Sequence, residues 1–296
     1  MWSCGGILEV GYVDLNMNLV DEIIEGALRE DIGTGDLTSL STIPAGATAE
    51  GFIYAKETGI VAGLPISERV FKILSEEIVF NARVTDGDRV SHGDILADVR
   101  GPARALLSGE RVALNLLQRL SGIATRTAGL AGKVKDFPAV IVDTRKTTPG
   151  LRVLEKYAVR AGGGKNHRFG LYDGILIKDN HIKVAGGIKN AVDMARQNAP
   201  HSLKIEVEVE DLAGVREALA AGADIIMLDN MDYAAVEEAV RIIKGRAQVE
   251  VSGGVNEDTV AGYAAKGVDI ISVGALTHSV KALDISLDLG EIKIKK

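Results

Sequence analysis

Residues 204–230 read KIEVEVEDLAGVREALAAGADIIMLDN. Two short apolar runs, 204–210 and 224–230, flank a segment (211–223) with the apolar spacing of a helix. Val/Ile/Leu-rich runs that alternate with helices predict parallel strands covered from outside. The same unit recurs on both sides. Further strands are expected at AVIVDT (139–144), GILIKDN (174–180), QVEVSGG (248–254) and DIISVGA (269–275). The last four runs begin at 204, 224, 248 and 269, and a repeat of just over 20 residues suits a β/α barrel. Six strands are clear. A seventh has room near 156–162, so the barrel reads as incomplete, with a doubly wound open sheet as the alternative.

Length and composition bound what such a barrel does. The 296 residues have room for two domains, and 46% hydrophobic with 25% charged residues is the balance of a globular protein. A net charge of −7, a pI near 5.4 and 4% aromatic residues argue against nucleic acid as the main partner. A lone cysteine, Cys4, excludes an intrachain disulfide and a Cys-based metal cluster, which suits a reducing cytosol. No run of 18 apolar residues suggests a membrane span, and the first residues lack a signal-peptide pattern. A cytoplasmic location is therefore expected. Residues 1–17 read as an extension, and Lys293, Lys295 and Lys296 as a polar tail.

Residues 18–126 differ in character from the barrel. VDEIIEGALREDIG (20–33) predicts a helix with an apolar stripe of Val20, Ile23, Ile24, Ala27 and Leu28. Strand-like pieces at 49–63 and 77–101 surround a helix at 67–74, as in a small α/β sandwich. Turns at 86–88 and 92–94 resemble those of carrier domains, but no lysine sits between them. A long helix from Glu110 leads into the barrel (127–283), with Glu110 and Arg111 expected in its first turn. The tail, 284–296, is expected to pack back on the sandwich.

Chemistry concentrates at the predicted strand ends: Asp143-Thr144-Arg145, Lys178-Asp179-Asn180, Glu208, Asp229-Asn230, Ser252-Gly253-Gly254 and Gly274. In a parallel barrel these ends converge on one face. Residues 143–168, DTRKTTPGLRVLEKYAVRAGGGKNHR, carry seven Lys and Arg opposed only by Asp143 and Glu155. Asn166 stands where a P-loop needs Ser or Thr, the five histidines form no compact ligand pair, and no G-x-S-x-G is present. What is left is a cationic centre of Arg145, Lys146, His167, Arg168 and Lys178, suited to a ligand with several negative charges. Gly162–Gly164 is read as a sharp turn that lets its amides or the following side chains approach the ligand closely. Glu208 and Asp229 could hold Mg²⁺, directly or through water, or accept sugar hydroxyls. Ser252-Gly253-Gly254 and Val273-Gly274-Ala275 could supply amides to a phosphate. Arg152, Lys156 and Arg160 recur at helical spacing and read equally well as a solvated face. A small-molecule enzyme acting on a polyanionic pair follows, but not its reaction.

The block 143–168, with GILIKDNHI, EVEVE, IMLDN, VSGGV and SVGALTHSVKALDISLDL, resembles quinolinate phosphoribosyltransferase, a resemblance spanning about 18–289. It implies the type II phosphoribosyltransferase architecture, an α/β sandwich domain plus an incomplete TIM-like barrel. It also implies the decarboxylating transfer of phosphoribosyl from 5-phosphoribosyl 1-pyrophosphate to quinolinate in NAD biosynthesis, with Mg²⁺. By resemblance Arg145, His167, Arg168 and Lys178, with Thr144 beside them, surround the dicarboxylate. Arg111 reaches it from the neighbouring subunit of a homodimer in which each sandwich caps the partner's barrel. Whether dimers form hexamers is left open. Lys146, Glu208, Asp229, Ser252, Gly253 and Gly274 match the phosphoribosyl and metal side, with Gly254, Val273 and Ala275 adjoining. Lys146, Lys178, Glu208 and Asp229 are the expected catalytic residues. Glu206 is the alternative to Glu208. Two rival readings are a related transferase for another acid, which would release no carbon dioxide, and a non-catalytic phosphometabolite sensor. The sensor would be expected to lack some of Lys146, Glu208 and Asp229.

Overall fold

A computed structural model describes residues 15–290 and the backbone of 293–294. The extension through residue 14, Cys4 and the tail lysines 295 and 296 lie outside the described residues, as does the Lys293 side chain.

The N-terminal layer is built on α1 (Met17–Ile32), α2 (Leu37–Thr42), β1 (Ala47–Ala55), β2 (Gly59–Ile60), α3 (Leu64–Leu74), β3 (Val79–Ala82), β4 (Arg89–Val90) and β5 (Ile95–Pro102). The stripe on α1 buries Val20, Ile24 and Leu28, worth about 1.5–3 kcal/mol each relative to exposure. Asn16 caps this helix by accepting from Asn18 N at 3.2 Å. Strands β1, β5 and β3 form an antiparallel sheet, and β2 and β4 a separate ribbon.

Helix α4 (Ala103–Val134) joins the two layers. It starts two turns earlier than expected, so Arg111 stands in its third turn, because Ala103-Arg104-Ala105-Leu106-Leu107 continues the helix directly from β5. Gly122 and Gly162 explain how closely α4 is approached. A Cβ on Gly122 would sit 2.2 Å from Lys281 O, and one on Gly162 would sit 2.4 Å from Ala124 O. Gly162–Gly164 thus serve helix packing. Their amides donate to Ala158, Arg160 and Val159 carbonyls and not toward a ligand, so of the turn and the side chains that follow it only the latter, among them His167 and Arg168, reach the barrel cavity.

The barrel follows as β6 (Val140–Val142), α5 (Arg152–Ala161), β7 (Ile175–Ile177), α6 (Asp179–Ala185), α7 (Ile188–Asn198), β8 (Ile205–Val209), α8 (Leu212–Ala220), β9 (Ile225–Asp229), α9 (Tyr233–Ile243), β10 (Gln248–Ser252), α10 (Val260–Ala264), β11 (Ile270–Ser272) and α11 (Ala275–His278). Its six strands are parallel in the order β6-β11-β10-β9-β8-β7. No seventh strand occupies 156–162, because that stretch is the body of α5. The edges β6 and β7 do not pair. Lys165 makes one parallel bridge to Val142, and the chain runs from there to β7. β12 (Ile285–Leu289) then pairs antiparallel with β1, as does β13 (Lys293–Ile294), so the sheet of the first layer holds the last strands of the chain. Among the described residues no helix is long and apolar enough to cross a membrane.

Candidate active site

Strand side chains alternate between faces, which sorts the polar residues into two levels inside the barrel. Glu208, Asp229, Ser252, Gly274, Thr144 and Lys178 stand at the C-terminal ends, with Asp229 directly opposite Ser252. Glu206 and Glu250, one pleat lower on the same faces, are buried in the interior. This separates the two candidate carboxylates. Glu208 is half-buried at the mouth and ion-pairs with Lys178, whereas Glu206 faces His167.

Arg145, Lys146 and Lys178 stand at this mouth, whereas Arg168 lines the cavity below it. Arg145 and Lys146 are exposed after β6, and Thr144 Oγ accepts from Lys146 N at 3.1 Å. Thr277 Oγ donates to Lys146 O at 2.8 Å, and a Cβ on Gly274 would meet Lys146 Cδ at 3.0 Å, so Lys146 lies across the β11 end. Arg168 donates to Gly174 O at 2.9 Å. Burial first, then the adjacent Arg145 charge, lowers the Arg168 pKa. Two guanidinium groups that disfavour each other make a site that an anion relieves.

On the other side, Asp229 Oδ2 accepts from Asn230 Nδ2 at 2.9 Å. Asn230 adopts a left-handed φ of 54°. Gly253 has φ +87° and Gly254 φ +64°, and a Cβ on Gly253 would lie 2.3 Å from the Asn230 side-chain oxygen. Only glycine lets this turn run against Asn230. Of the other expected amide donors, Val273 is spent, because its N–H donates to Val142 O at 2.9 Å and its side chain is buried. Gly274 and Ala275 stand at the start of α11.

His167 is turned into the barrel and not toward the mouth. Its Nδ1 accepts from Arg168 N at 2.7 Å, which leaves the proton on Nε2, 3.1 Å from Glu206 and 3.7 Å from Glu250. These three side chains lie within ligand distance of one another. With Nδ1 taken by an N–H donor, however, Nε2 has no lone pair for a cation. Burial first, then the Glu206 charge, pushes the Glu250 carboxyl up to about 8. Glu250 is therefore protonated at neutral pH. The trio lines a cavity of about 470 Å³ that runs past Ile225 and Ile270 to Lys204, below the mouth.

Two of the cations read as a solvated face are structural. Lys156 is wholly buried against Asp143, and Arg152 donates to Thr147 Oγ and Phe169 O, each at 2.9 Å. Arg160 is exposed. Arg111 also is exposed, on α4, and none of the mouth residues is its hydrogen-bond or ion-pair partner among the described residues. The sequence reading placed Asn230 at a strand end without a role, and singled out neither Glu250 nor the Asp143–Lys156 pair. The signal for Glu250 was a carboxylate inside the apolar run QVEVS.

Comparison with known proteins agrees over nearly the whole chain. Residues 36–121 match the N-terminal domain model of quinolinate phosphoribosyl transferase, and residues 123–288 match its C-terminal domain model. A probable nicotinate-nucleotide pyrophosphorylase (carboxylating) of Bacillus subtilis (strain 168) is 53% identical over 275 residues, covering 93% of this chain and 95% of that protein. The quinolinate phosphoribosyltransferase (decarboxylating) 1b of Nicotiana tabacum is 44% identical, over 90% of this chain and 81% of its own length. The crystal structure of NadC from Streptococcus pyogenes, 43% identical, superposes with a TM-score of 0.91 over 96% of this chain and 100% of that one. The chain belongs to the quinolinate phosphoribosyl transferase family.

Proposed function

We propose that the chain transfers the phosphoribosyl group of 5-phosphoribosyl 1-pyrophosphate to quinolinate, giving nicotinate mononucleotide, pyrophosphate and carbon dioxide. One observation carries the reading. Arg168 lines the barrel cavity and feels the charge of Arg145, which is exposed after β6, while Lys178 is ion-paired to Glu208 at the strand ends, on the strand next to that of Asp229. A twice-ionised pyridine fits the two guanidinium groups, and an activated sugar phosphate fits the strand-end carboxylates.

In this reading Arg145 and Arg168 each grip a carboxylate, Thr144 adjoins them, and His167 orients Arg168 through its backbone N–H. Glu208 and Asp229 accept the ribose hydroxyls, with Asn230 fixing the Asp229 carboxylate. Lys146, Ser252 and the amides of Gly253, Gly254, Gly274 and Ala275 face the phosphates. Holding the ring nitrogen in line with the anomeric carbon can supply on the order of 7–11 kcal/mol of the barrier. The nitrogen–carbon bond forms as the bond to pyrophosphate breaks, and Lys146 stabilises the leaving charge. The carbon–carboxylate bond then breaks. Its electron pair stays on ring carbon beside the cationic nitrogen until it takes a proton, which in this reading the Lys178 ammonium supplies. Glu208 and Asp229 are oxygen donors at half-buried positions, a set that fits Mg²⁺ directly or through water. When bound there, Mg²⁺ would neutralise pyrophosphate charge.

Exposure of Arg145 and Lys146 in the single chain supports a homodimer in which the partner's sandwich covers the mouth and Arg111 acts across the interface. A cytoplasmic location is proposed with it. The test is product analysis. Purified protein with Mg²⁺ and 5-phosphoribosyl 1-pyrophosphate should form nicotinate mononucleotide from quinolinate and not from nicotinate. Equal product from nicotinate would refute the reading.

A further inference from the structure

Helix α5 carries two adjacent charged residues, Glu155 and Lys156, whose side chains are both 0% exposed. Adjacent helix positions point about 100° apart, so the two reach different neighbours. Lys156 Nζ donates to Asp143 and to His167 O, the latter at 2.9 Å. The same Asp143 accepts from Asn166 Nδ2 at 2.5 Å and from His167 N at 3.0 Å. This pair ties the end of β6 to the loop carrying His167 and Arg168. Glu155 turns the other way. It accepts from Arg119 at 2.6 and 2.9 Å and from Thr148 N at 3.1 Å. Arg119 also donates to Thr148 Oγ at 2.6 Å and to Thr277 O at 3.4 Å. Thr277 in turn donates to Lys146 O.

Buried ion pairs add little to stability relative to apolar side chains of similar size, and their best-attested use is to fix one geometry. We propose that Glu155 and Lys156 are positioning residues that set the two halves of the mouth separately. Lys156 with Asp143 sets the loop of His167 and of Arg168, the quinolinate-facing residue that His167 orients. Glu155 with Arg119 sets the loop of the phosphate-facing Lys146. The assignment rests on the reaction proposed above.

The test is initial-rate kinetics, with both substrates varied, on the charge-neutral double variants Asp143→Asn/Lys156→Met and Glu155→Gln/Arg119→Met. Thermal unfolding of each is followed in parallel. Displacement of a reacting group by about 1 Å costs on the order of 100-fold in rate. The first variant should raise KM for quinolinate at least 10-fold more than KM for 5-phosphoribosyl 1-pyrophosphate, and the second should do the reverse. A merely structural role would shift both constants together, and that result, or no shift, overturns the proposal. Where a double variant shows no cooperative unfolding, Asn166→Ala, which removes a hydrogen bond to Asp143, and Thr277→Val, which removes the hydrogen bond linking Thr277 to Lys146 O, should give the same split at smaller size. Wild-type protein that forms no nicotinate mononucleotide would overturn both this proposal and the reaction it rests on. An active wild type with unsplit constants would overturn this proposal alone.

Discussion

Replacing Gly253 by alanine probes the phosphate side of the mouth through one added methyl group. At φ +87° the new residue is held in a left-handed conformation, which costs about 1–2 kcal/mol. Its Cβ would also fall 2.3 Å from Asn230 Oδ1 and 2.5 Å from Asn230 Cγ, so the Asn230 side chain must move. That movement breaks the 2.9 Å hydrogen bond to Asp229 Oδ2, worth about 0.5–1.5 kcal/mol. Urea unfolding should therefore show a loss of about 1.5–3.5 kcal/mol. Released from Asn230, Asp229 no longer holds one orientation toward the ribose. KM for 5-phosphoribosyl 1-pyrophosphate should rise about 10-fold or more while KM for quinolinate changes little. Unchanged stability and an unchanged KM for the sugar phosphate would refute the placement of this turn against Asn230.

Further predictions concern the cations, the glycine contact and the buried carboxyl. Arg145→Ala should lower kcat/KM by about 100-fold or more, with an unfolding midpoint near that of the wild type, because Arg145 is exposed. Initial rates and thermal melts check both. Gly162→Ala should destabilise by about 1–3 kcal/mol in urea, since its Cβ meets Ala124 O at 2.4 Å and Thr127 Cβ at 2.7 Å. Glu250→Gln replaces a protonated carboxyl by a neutral amide. The Glu250 pKa is raised from 4.5 to about 8, so the folded wild type binds this proton more tightly than the unfolded chain does. Its contribution is full below 4.5 and is lost as pH rises toward 8. Relative to wild type, the Glu250→Gln variant should gain stability progressively across that window. A stability difference independent of pH between about 5 and 8 would contradict a buried, protonated Glu250.

The six barrel strands were legible because Val and Ile runs at a steady spacing have few other uses in a globular fold. Clustering at one end of the barrel followed from parallelism, as the Lys178–Glu208 pair and the Asp229–Ser252 register show. Charge pattern misled at α5. Arg152, Lys156 and Arg160 have the spacing of a solvated face, and the buried acid that accommodates Lys156 is 13 residues away, just after β6. Glu206 and Glu250 were hidden for a related reason, since alternation places EVEVE and QVEVS carboxylates inward but does not show which level meets His167. The early start of α4 was obscured because Pro102 and Gly109 bracket a stretch without strong polar alternation. Arg111 is exposed on α4, and no local pattern in the sequence sets it apart from the other cations of that helix.

A crystal structure of the protein with quinolinate would locate the dicarboxylate. Both ligand carboxylates should lie within hydrogen-bonding distance of Arg145 and Arg168, with the ring beside Lys178. Quinolinate bound with neither carboxylate on Arg145 or Arg168 would contradict this placement.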